Sequence, residues 1–211
     1  MKDTYKVLLI NGSPHVDGCT KRALEEVSNT LKEEGIETEI LDIGHLPIFG
    51  YLADVKETKE ERENDIVEIA VKKFEEADGL VVGAPVYYSS APGTLISFLD
   101  RLFACSKRFD KTMKVGAAVC SDRRAGTLTT FDEINKYFMV SNMPVASSQY
   151  WNEVYGSKKE DVEKDFEGLQ SLRVLARNMA FLIKSIDLGK EKFGLPKKEE
   201  QRFKTNFVDG K

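Results

Sequence analysis

A loop near the start of the chain has the composition of an anion-binding site. Residues 11–20, Asn-Gly-Ser-Pro-His-Val-Asp-Gly-Cys-Thr, separate an apolar run from an amphipathic segment at 21–34. A helix that begins after such a loop presents unpaired backbone N–H groups and partial positive charge, which stabilise a phosphate. The hydroxyls of Ser13 and Thr20 add donors. The spacing therefore indicates a phosphate site, and for this loop alone plain helix capping by Thr20 explains the residues equally well.

Two common nucleotide-binding patterns do not fit this loop. Gly12 and Gly18 stand six positions apart, one more than the two glycines of a P-loop, and Cys19 stands where a P-loop requires Lys before its Ser or Thr. The G-x-G-x-x-G fingerprint of dinucleotide sites is also absent. A helix N-terminus can lower the pKa of a thiol. We nevertheless expect Cys19 to contribute a backbone N–H rather than to act as a nucleophile.

A second loop has residues suited to a planar aromatic ligand. Residues 85–93, Pro-Val-Tyr-Tyr-Ser-Ser-Ala-Pro-Gly, place Tyr87 and Tyr88 among backbone amides and carbonyls. Tyrosine rings can stack on such a ligand while the backbone meets its polar edge. The alternative is an apolar crossover loop whose tyrosines pack on the next helix.

A third loop contributes positive charge. Residues 121–126, Ser-Asp-Arg-Arg-Ala-Gly, contain the adjacent pair Arg123 and Arg124. A guanidinium close to a bound ring stabilises negative charge that develops on it. The alternative is a surface pair held by a salt bridge.

The elements between these loops predict how they are brought together. Short apolar runs alternate with amphipathic segments five times, which predicts a parallel sheet with helices on both faces. In the strand order 2-1-3-4-5 the switch point lies between strands one and three, and all three loops meet at that edge. The predicted strands are residues 7–10, 37–42, 79–84, 115–120 and 144–146.

A phosphate site, a stacking platform and a polar edge together describe FMN better than NAD. FMN has one phosphate and a ring system with a polar rim, whereas a dinucleotide site needs a second half and the glycine fingerprint. FMN is thus the cofactor that the three loops predict.

The same residues resemble a known family. The segments at 11–20, 83–88, 121–126 and 149–152 are similar to those of the NADPH-dependent FMN reductase-like, flavodoxin-fold family, and the similarity extends to about residue 187. The resemblance implies a flavodoxin-like fold, bound FMN, NAD(P)H as electron donor, a small-molecule acceptor such as a flavin or quinone, and a homodimer or homotetramer. The cofactor-binding residues that follow are Ser13, His15, Gly18, Cys19, Thr20, Pro85, Val86, Tyr87, Tyr88, Ser89, Ser121, Arg123, Arg124 and Gly126. No acid–base side chain is required, and Arg123 or Arg124 is the candidate for an electrostatic role.

One feature departs from the close relatives called iron–sulfur flavoproteins. These relatives carry a compact group of cysteines after the second strand, but residues 47–60 contain no cysteine. A cluster held in that way lacks its ligands, so no metal is expected. A flavodoxin-type electron carrier and a non-catalytic flavin-binding protein remain alternatives to the reductase.

The whole chain excludes several other classes of function. With 211 residues, a net charge of −4 and no basic face, it is not expected to bind nucleic acid or a membrane. It has no apolar run of membrane-spanning length and no signal-peptide core at its start, so we expect a cytoplasmic protein. Cys105 and Cys120 are expected to be small buried hydrophobic residues.

The ends of the domain and one long connection are also predicted. Residues 1–188 are expected to form the flavodoxin-like FMN-binding domain, and residues 189–211 a charged tail. The connection at 43–64 is long enough for a functional lid, with disorder as the alternative.

Overall fold

A five-stranded parallel sheet organises the chain. The structure is a computed structural model that describes residues 2–51 and 65–196. The strands are β1 (Tyr5–Asn11), β2 (Ile36–Asp42), β3 (Gly79–Pro85), β4 (Val115–Asp122) and β5 (Glu153–Tyr155). Their order is β2-β1-β3-β4-β5, and every pairing is parallel. The predicted flavodoxin-like order 2-1-3-4-5 is therefore confirmed.

Helices cover both faces of the sheet because the central strands are apolar on both sides. The helices are α1 (Cys19–Glu33), α2 (Ile66–Glu76), α3 (Gly93–Cys105), α4 (Thr127–Val140), α5 (Lys159–Val162) and α6 (Phe166–Phe193), with a 3₁₀ turn at Ser106–Arg108. Buried side chains of α1 and α6 form one hydrophobic core, and those of α2, α3 and α4 form the other. β3 is buried along nearly its whole length, as expected for a strand between two helical layers.

The fifth strand lies later in the chain than predicted. Residues 144–146 make only an isolated bridge between Val145 and Gly116, after which the chain leaves the sheet. It returns at Glu153–Tyr155, which pairs with the last three residues of β4. The prediction for this strand was wrong because its short apolar run resembles the start of a strand, whereas the aromatic, β-branched stretch after it makes the longer ladder.

The structure confirms one expectation about the cysteines and revises another. Cys120 is buried as predicted, but Cys105 is exposed at the last position of α3, so the expectation for Cys105 was wrong. Cys105 continues the spacing of the buried Phe98 and Leu102, but α3 ends there and the chain turns into the 3₁₀ segment Ser106–Arg108.

The last helix is longer than the apolar stripe that predicts it. α6 has 28 residues and runs through the predicted domain boundary at 188 to Phe193. Most of the charged tail (197–211) and most of the predicted lid (52–64) lie outside the described residues. Among residues 2–51 and 65–196, no helix combines the length and the apolar composition needed to cross a membrane.

Candidate cofactor site

A cleft of about 490 Å³ opens at the carboxyl edge of the sheet, where β1, β3 and β4 end. All three predicted loops contribute to its lining, and a fourth segment, residues 156–160, closes one side. This volume is within the usual range of ligand pockets. The strand order produces the convergence, because the carboxyl ends of neighbouring parallel strands lie at one edge.

The first loop is held against the sheet by close backbone contacts. The Gly12 amide donates to the Gly83 carbonyl at 2.9 Å, and a Cβ at position 12 would lie 2.5 Å from a Leu95 methyl group. The Asn11 side chain accepts from the Ser13 amide and donates to Asp42. The path of this loop is therefore fixed by the structure around it, and any side chain larger than glycine at position 12 would displace it.

The N-terminus of α1 faces the cleft. The helix begins at Cys19 with Gly18 as its N-cap, and no side chain caps it. Its first turn contains no acidic residue, so the partial positive charge of the helix end is not neutralised there. The capping alternative for Thr20 is therefore not what the structure shows. Instead the Thr20 hydroxyl lies 2.7 Å from the Ser121 hydroxyl and joins the first loop to the end of β4.

The second loop contains a tight turn with an uncommon backbone. Tyr87 and Ser90 exchange two backbone hydrogen bonds of 2.9 and 3.1 Å. The two residues between them, Tyr88 and Ser89, have φ of 54° and 58°. Positive φ at both central positions is the type I′ geometry, which favours Asn and Gly. Non-glycine residues with this backbone are often found at functional sites.

Glu133 on α4 holds this turn, and the sequence analysis did not identify it. Its carboxylate accepts from the Ser90 hydroxyl at 2.7 Å and from the Ala91 amide at 3.0 Å. A carboxylate that receives two hydrogen bonds contributes more stability than a neutral acceptor. Glu133 lies 42 residues from Ala91 in the chain, so no local pattern indicates the contact.

The third loop brings one of its two arginines to the cleft. Both side chains are exposed, but Arg123 lines the cleft and Arg124 does not. Gly126 has φ of 109°, and a Cβ there would lie 2.8 Å from Val86. Glycine at this position lets the second and third loops pack together.

Most of the predicted cofactor residues line the cleft, and four do not. Tyr88 is fully exposed, and Ser89, Arg124 and Gly126 lie in the adjoining turns. The residues that line it are Ser13, His15, Gly18, Cys19, Thr20, Pro85, Val86, Tyr87, Ser121 and Arg123.

The fourth segment was missed because the fifth strand was placed too early. Residues 156–160, Gly-Ser-Lys-Lys-Glu, follow β5 directly and so reach the same edge of the sheet. Lys158 and Lys159 add positive charge to the cleft, although Lys159 also pairs with Asp17 and Glu25. Glycine at position 156 lets this segment pack closely against the start of α1, since a Cβ there would lie 3.2 Å from the Cys19 sulfur.

Two buried carboxylates lie beside the cleft. Asp122 lines the cleft at the end of β4, and Glu153 begins β5. Burial raises the pKa of Asp122, and the nearby Glu153 carboxylate raises it further. Neither carboxylate oxygen of Asp122 makes a hydrogen bond of good geometry within the described residues, and the nearby Arg124 backbone amide offsets only part of the increase in the pKa.

Cys19 has the properties of a packed thiol rather than of a nucleophile. Burial raises the pKa of its thiol, and the negative charge of Asp161 adds to the increase. The thiol form therefore predominates at neutral pH, which leaves the backbone N–H as the group that Cys19 offers.

The residues of the cleft fit a phosphate-bearing planar cofactor. Gly18 leaves room at the helix start, since a Cβ there would lie 3.1 Å from His15. Hydroxyls of Ser13, Thr20 and Ser121 stand beside backbone N–H groups of the first turn of α1, and this is the donor set of a phosphate site. The half-exposed ring of Tyr87 lines the same cleft and provides an apolar surface for a planar ring.

Comparison with known proteins identifies the family. The sequence profile of the NADPH-dependent FMN reductase family matches residues 5–156. An iron–sulfur flavoprotein from Methanocaldococcus jannaschii is 32% identical over 191 residues, covering 86% of this chain and 98% of that protein. An FMN-dependent NADH:quinone oxidoreductase from Polaromonas naphthalenivorans is 38% identical over 90 residues, covering 39% of this chain and 41% of that protein.

Solved structures show the same fold at low sequence identity. RosB with a bound riboflavin-5′-phosphate derivative has a TM-score of 0.67 at 14% identity, over 97% of this chain and 92% of that one. An archaeal flavodoxin has a TM-score of 0.58 at 18% identity, over 85% of this chain and 99% of that one. The fold, the cleft and the sequence match agree with one another. The chain therefore belongs to the NADPH-dependent FMN reductase family, and its enzyme class is that of an FMN-dependent oxidoreductase.

Proposed function

We propose that this protein oxidises NAD(P)H and passes two electrons, through FMN held in the cleft, to a small-molecule acceptor such as a flavin or a quinone. The observation that carries the proposal is the meeting of the helix start at Cys19 with residues 85–87 of the second loop in one cleft. The names of two relatives, both FMN-dependent NADH:quinone oxidoreductases, support this type of acceptor.

Each part of the cleft has a separate role in this proposal. The first turn of α1 and the hydroxyls of Ser13 and Thr20 bind the phosphate. Backbone groups at 85–87 meet the polar edge of the ring, and Tyr87 supports its face. FMN, when bound, supplies the exchange of two electrons, and the protein supplies position and electrostatics.

Arg123 is proposed to stabilise the negative charge that accompanies reduction. It lines the cleft, whereas its neighbour Arg124 does not. A guanidinium beside a bound ring stabilises negative charge that develops on the ring. The proposal therefore assigns the electrostatic role to Arg123 and not to Arg124.

We also propose that the cleft is completed by a second copy of the chain, in a homodimer or homotetramer. Tyr88 is fully exposed at its mouth, and Tyr87 and Leu128 are 39% and 46% exposed. Aromatic residues exposed together in this way are typical of interfaces.

Spectroscopy and steady-state kinetics test the proposed reaction. The purified protein should bind one equivalent of FMN, lose the flavin absorbance near 450 nm on anaerobic addition of NADH or NADPH, and turn over with a quinone or free FMN. The Arg123→Gln variant should turn over at about one tenth of the wild-type rate. The Arg124→Gln variant is the matched control and should retain the wild-type rate.

Three outcomes would contradict parts of the proposal. Stoichiometric FMN without turnover of any acceptor would remove the reaction and leave a flavin-binding protein. A protein that binds no FMN would remove both. Equal loss of rate in the two arginine variants would remove the specific role of Arg123.

A further inference from the structure

A second cavity, of about 300 Å³, lies beside β5 and shares no lining residue with the cofactor cleft. Three aromatic side chains and three acidic side chains form most of its wall, and none of the described residues that line it is basic. The six residues are Tyr150, Trp151, Tyr155, Glu153, Asp165 and Glu167. The composition of this wall suits a positively charged group.

One of the acids is already fully used by the fold. Asp165 caps α6 by accepting from the Gly168 amide at 2.9 Å, and its other oxygen accepts from the Tyr155 amide at 2.8 Å. Its charge is thus spread over two backbone donors. The other two acids, Glu153 and Glu167, decide what the cavity can bind.

Glu153 is the unexplained residue of this cavity. Glu153 is only 7% exposed, and its Oε1 accepts a hydrogen bond of 3.0 Å from the Tyr155 hydroxyl. Oε2 is buried and has no hydrogen-bond partner within the described residues. A buried carboxylate oxygen without a donor is costly and calls for a partner outside the chain.

The pleat of β5 explains why this side chain faces the cavity. Val154 belongs to the buried core beneath α1 and α6. Successive side chains of a strand point to opposite faces, so Glu153 and Tyr155 both turn away from that core. Both residues line the cavity.

A second buried carboxylate lies near Glu153. The charge of Glu153 raises the pKa of Asp122, so the two groups are close together. The oxygens of Asp122 and Oε2 of Glu153 are buried and make no hydrogen bond of good geometry among the described residues, which leaves negative charge at this end of β5 largely uncompensated. A positively charged donor on a ligand compensates this charge.

The aromatic walls distinguish an organic cation from a metal ion. The rings of Tyr150 and Trp151 lie 4.6 Å apart, and both are about half exposed. Such faces attract ammonium and guanidinium groups and pack on their alkyl stems. The described residues contain no group of three or more His, Cys, Asp or Glu side chains placed to hold a metal ion. We propose that this cavity binds a guanidinium or alkylammonium group, which donates to the Glu153 carboxylate and packs against Tyr150 and Trp151.

The only tryptophan of the chain provides a direct readout. Trp151 is the single Trp in 211 residues and lines the cavity. Agmatine, which carries a guanidinium and an ammonium group, should change its fluorescence saturably in flavin-free and in FMN-loaded protein. N-butylurea is the uncharged control and should cause no saturable change. The readout does not depend on turnover, so it remains valid even if the proposed reaction fails.

Matched variants test the role of Glu153. Glu153→Gln keeps an acceptor for the Tyr155 hydroxyl but removes the charge, and should weaken agmatine binding at least tenfold. Asp132→Asn removes one exposed acidic charge on α4 and should bind agmatine as the wild type does. If Glu153→Gln does not fold, Tyr150→Leu replaces an exposed ring and should weaken binding about threefold.

A dilution experiment distinguishes a free amine from a side chain of a second copy as the source of the cation. The second copy could supply a Lys or Arg side chain in place of a free amine. In that case agmatine has no effect, but Trp151 emission shifts on dilution of the wild type, and Glu153→Gln lowers self-association. The proposal is overturned if neither agmatine nor dilution changes the emission, or if Glu153→Gln binds agmatine as tightly as the wild type.

Discussion

Single side chains in this protein join segments that are far apart in the sequence. The hydroxyl of Thr20 contacts Ser121, 101 residues later, and this bond connects the first loop to β4 at the cleft. A hydroxyl pair of the same length joins Ser28 to Thr38 away from the cleft. The two pairs allow the contribution to stability to be separated from the contribution to cofactor binding.

We expect Thr20→Val to raise the dissociation constant for FMN about tenfold and to lower the free energy of unfolding by about 1–2 kcal/mol. The change removes the hydroxyl with little change of shape and leaves the buried Ser121 without its partner. Isothermal titration with FMN and urea unfolding measure the two effects. Thr38→Val should reproduce the loss of stability without the loss of affinity. Equal affinities in the two variants would contradict a role of Thr20 at the site.

We expect Asp122→Asn to be more stable than the wild type at pH 7 in flavin-free protein. Burial and Glu153 raise the pKa of Asp122 above its ordinary value of 3.8, so the folded state binds a proton more readily than the unfolded state. The wild type therefore loses stability as the pH rises from the ordinary pKa of 3.8 through the higher pKa of the folded state. The melting temperature of the variant should exceed that of the wild type by roughly 2–4 °C at pH 7.

The pH dependence is the control for this prediction. Below pH 3.8 both the folded and the unfolded wild type carry a protonated Asp122, so the difference from Asp122→Asn should disappear. Asp132→Asn, an exposed change of the same charge, should show no such trend. A constant difference at all pH values would contradict the assigned cause.

At the scale of elements, the site depends on loops that are held from outside. The connection after β2 passes so close to the first loop that a Cβ at Gly44 would lie 2.3 Å from the Gly12 carbonyl oxygen. The second loop keeps its uncommon turn because Glu133 on α4 binds two of its donors. Each contact gives a prediction about a residue outside the cleft lining.

Gly44→Ala should destabilise the fold by about 1–3 kcal/mol and weaken FMN binding, because the added methyl group must push the first loop out of place. Gly189→Ala is the control. It lies in α6 with open space around its Cβ position, and alanine favours a helix, so its stability should rise slightly. Urea unfolding and FMN titration test the pair. Wild-type FMN affinity in Gly44→Ala would show that the first loop tolerates displacement.

Glu133→Ala should raise the dissociation constant for FMN about tenfold while the secondary structure is retained. The change removes both hydrogen bonds that hold Ser90 and Ala91, and the strained turn is then free to relax. Asp132→Ala, at the neighbouring exposed position, should bind FMN as the wild type does. The prediction fails if the two variants have the same affinity.

At the scale of the whole molecule, the mouth of the cleft carries the exposed aromatic surface of Tyr87 and Tyr88. If a second copy covers this surface, replacement of the most exposed ring should weaken association. Asn tolerates the positive φ of position 88, so Tyr88→Asn changes the surface without straining the turn.

We expect Tyr88→Asn to shift the sedimentation profile toward the monomer at concentrations where the wild type associates. Phe181→Asn, which removes an exposed aromatic ring from α6, is the comparison variant. Analytical ultracentrifugation measures both. Unchanged association of Tyr88→Asn would place any interface elsewhere on the molecule.

The sequence by itself determined the three loops, the five-stranded order and the family, because these follow from local patterns. Alternating apolar runs predict parallel strands, and parallel strands bring their carboxyl-end loops to one edge. Residues 11–20, 85–93 and 121–126 were therefore predicted to meet. Gly, Ser and Thr before a helix start also predict a phosphate site without knowledge of distant contacts.

Only the tertiary structure decided what supports and completes the site. The placement of β5 at Glu153–Tyr155, and with it Lys158 and Lys159 at the cleft, depends on which of two short segments pairs better with β4. The hold of Glu133 on the second loop and the bond between Thr20 and Ser121 join residues 42 to 101 positions apart. Such contacts leave no periodic signal, because they depend on how packed elements meet and not on the pattern within any one of them.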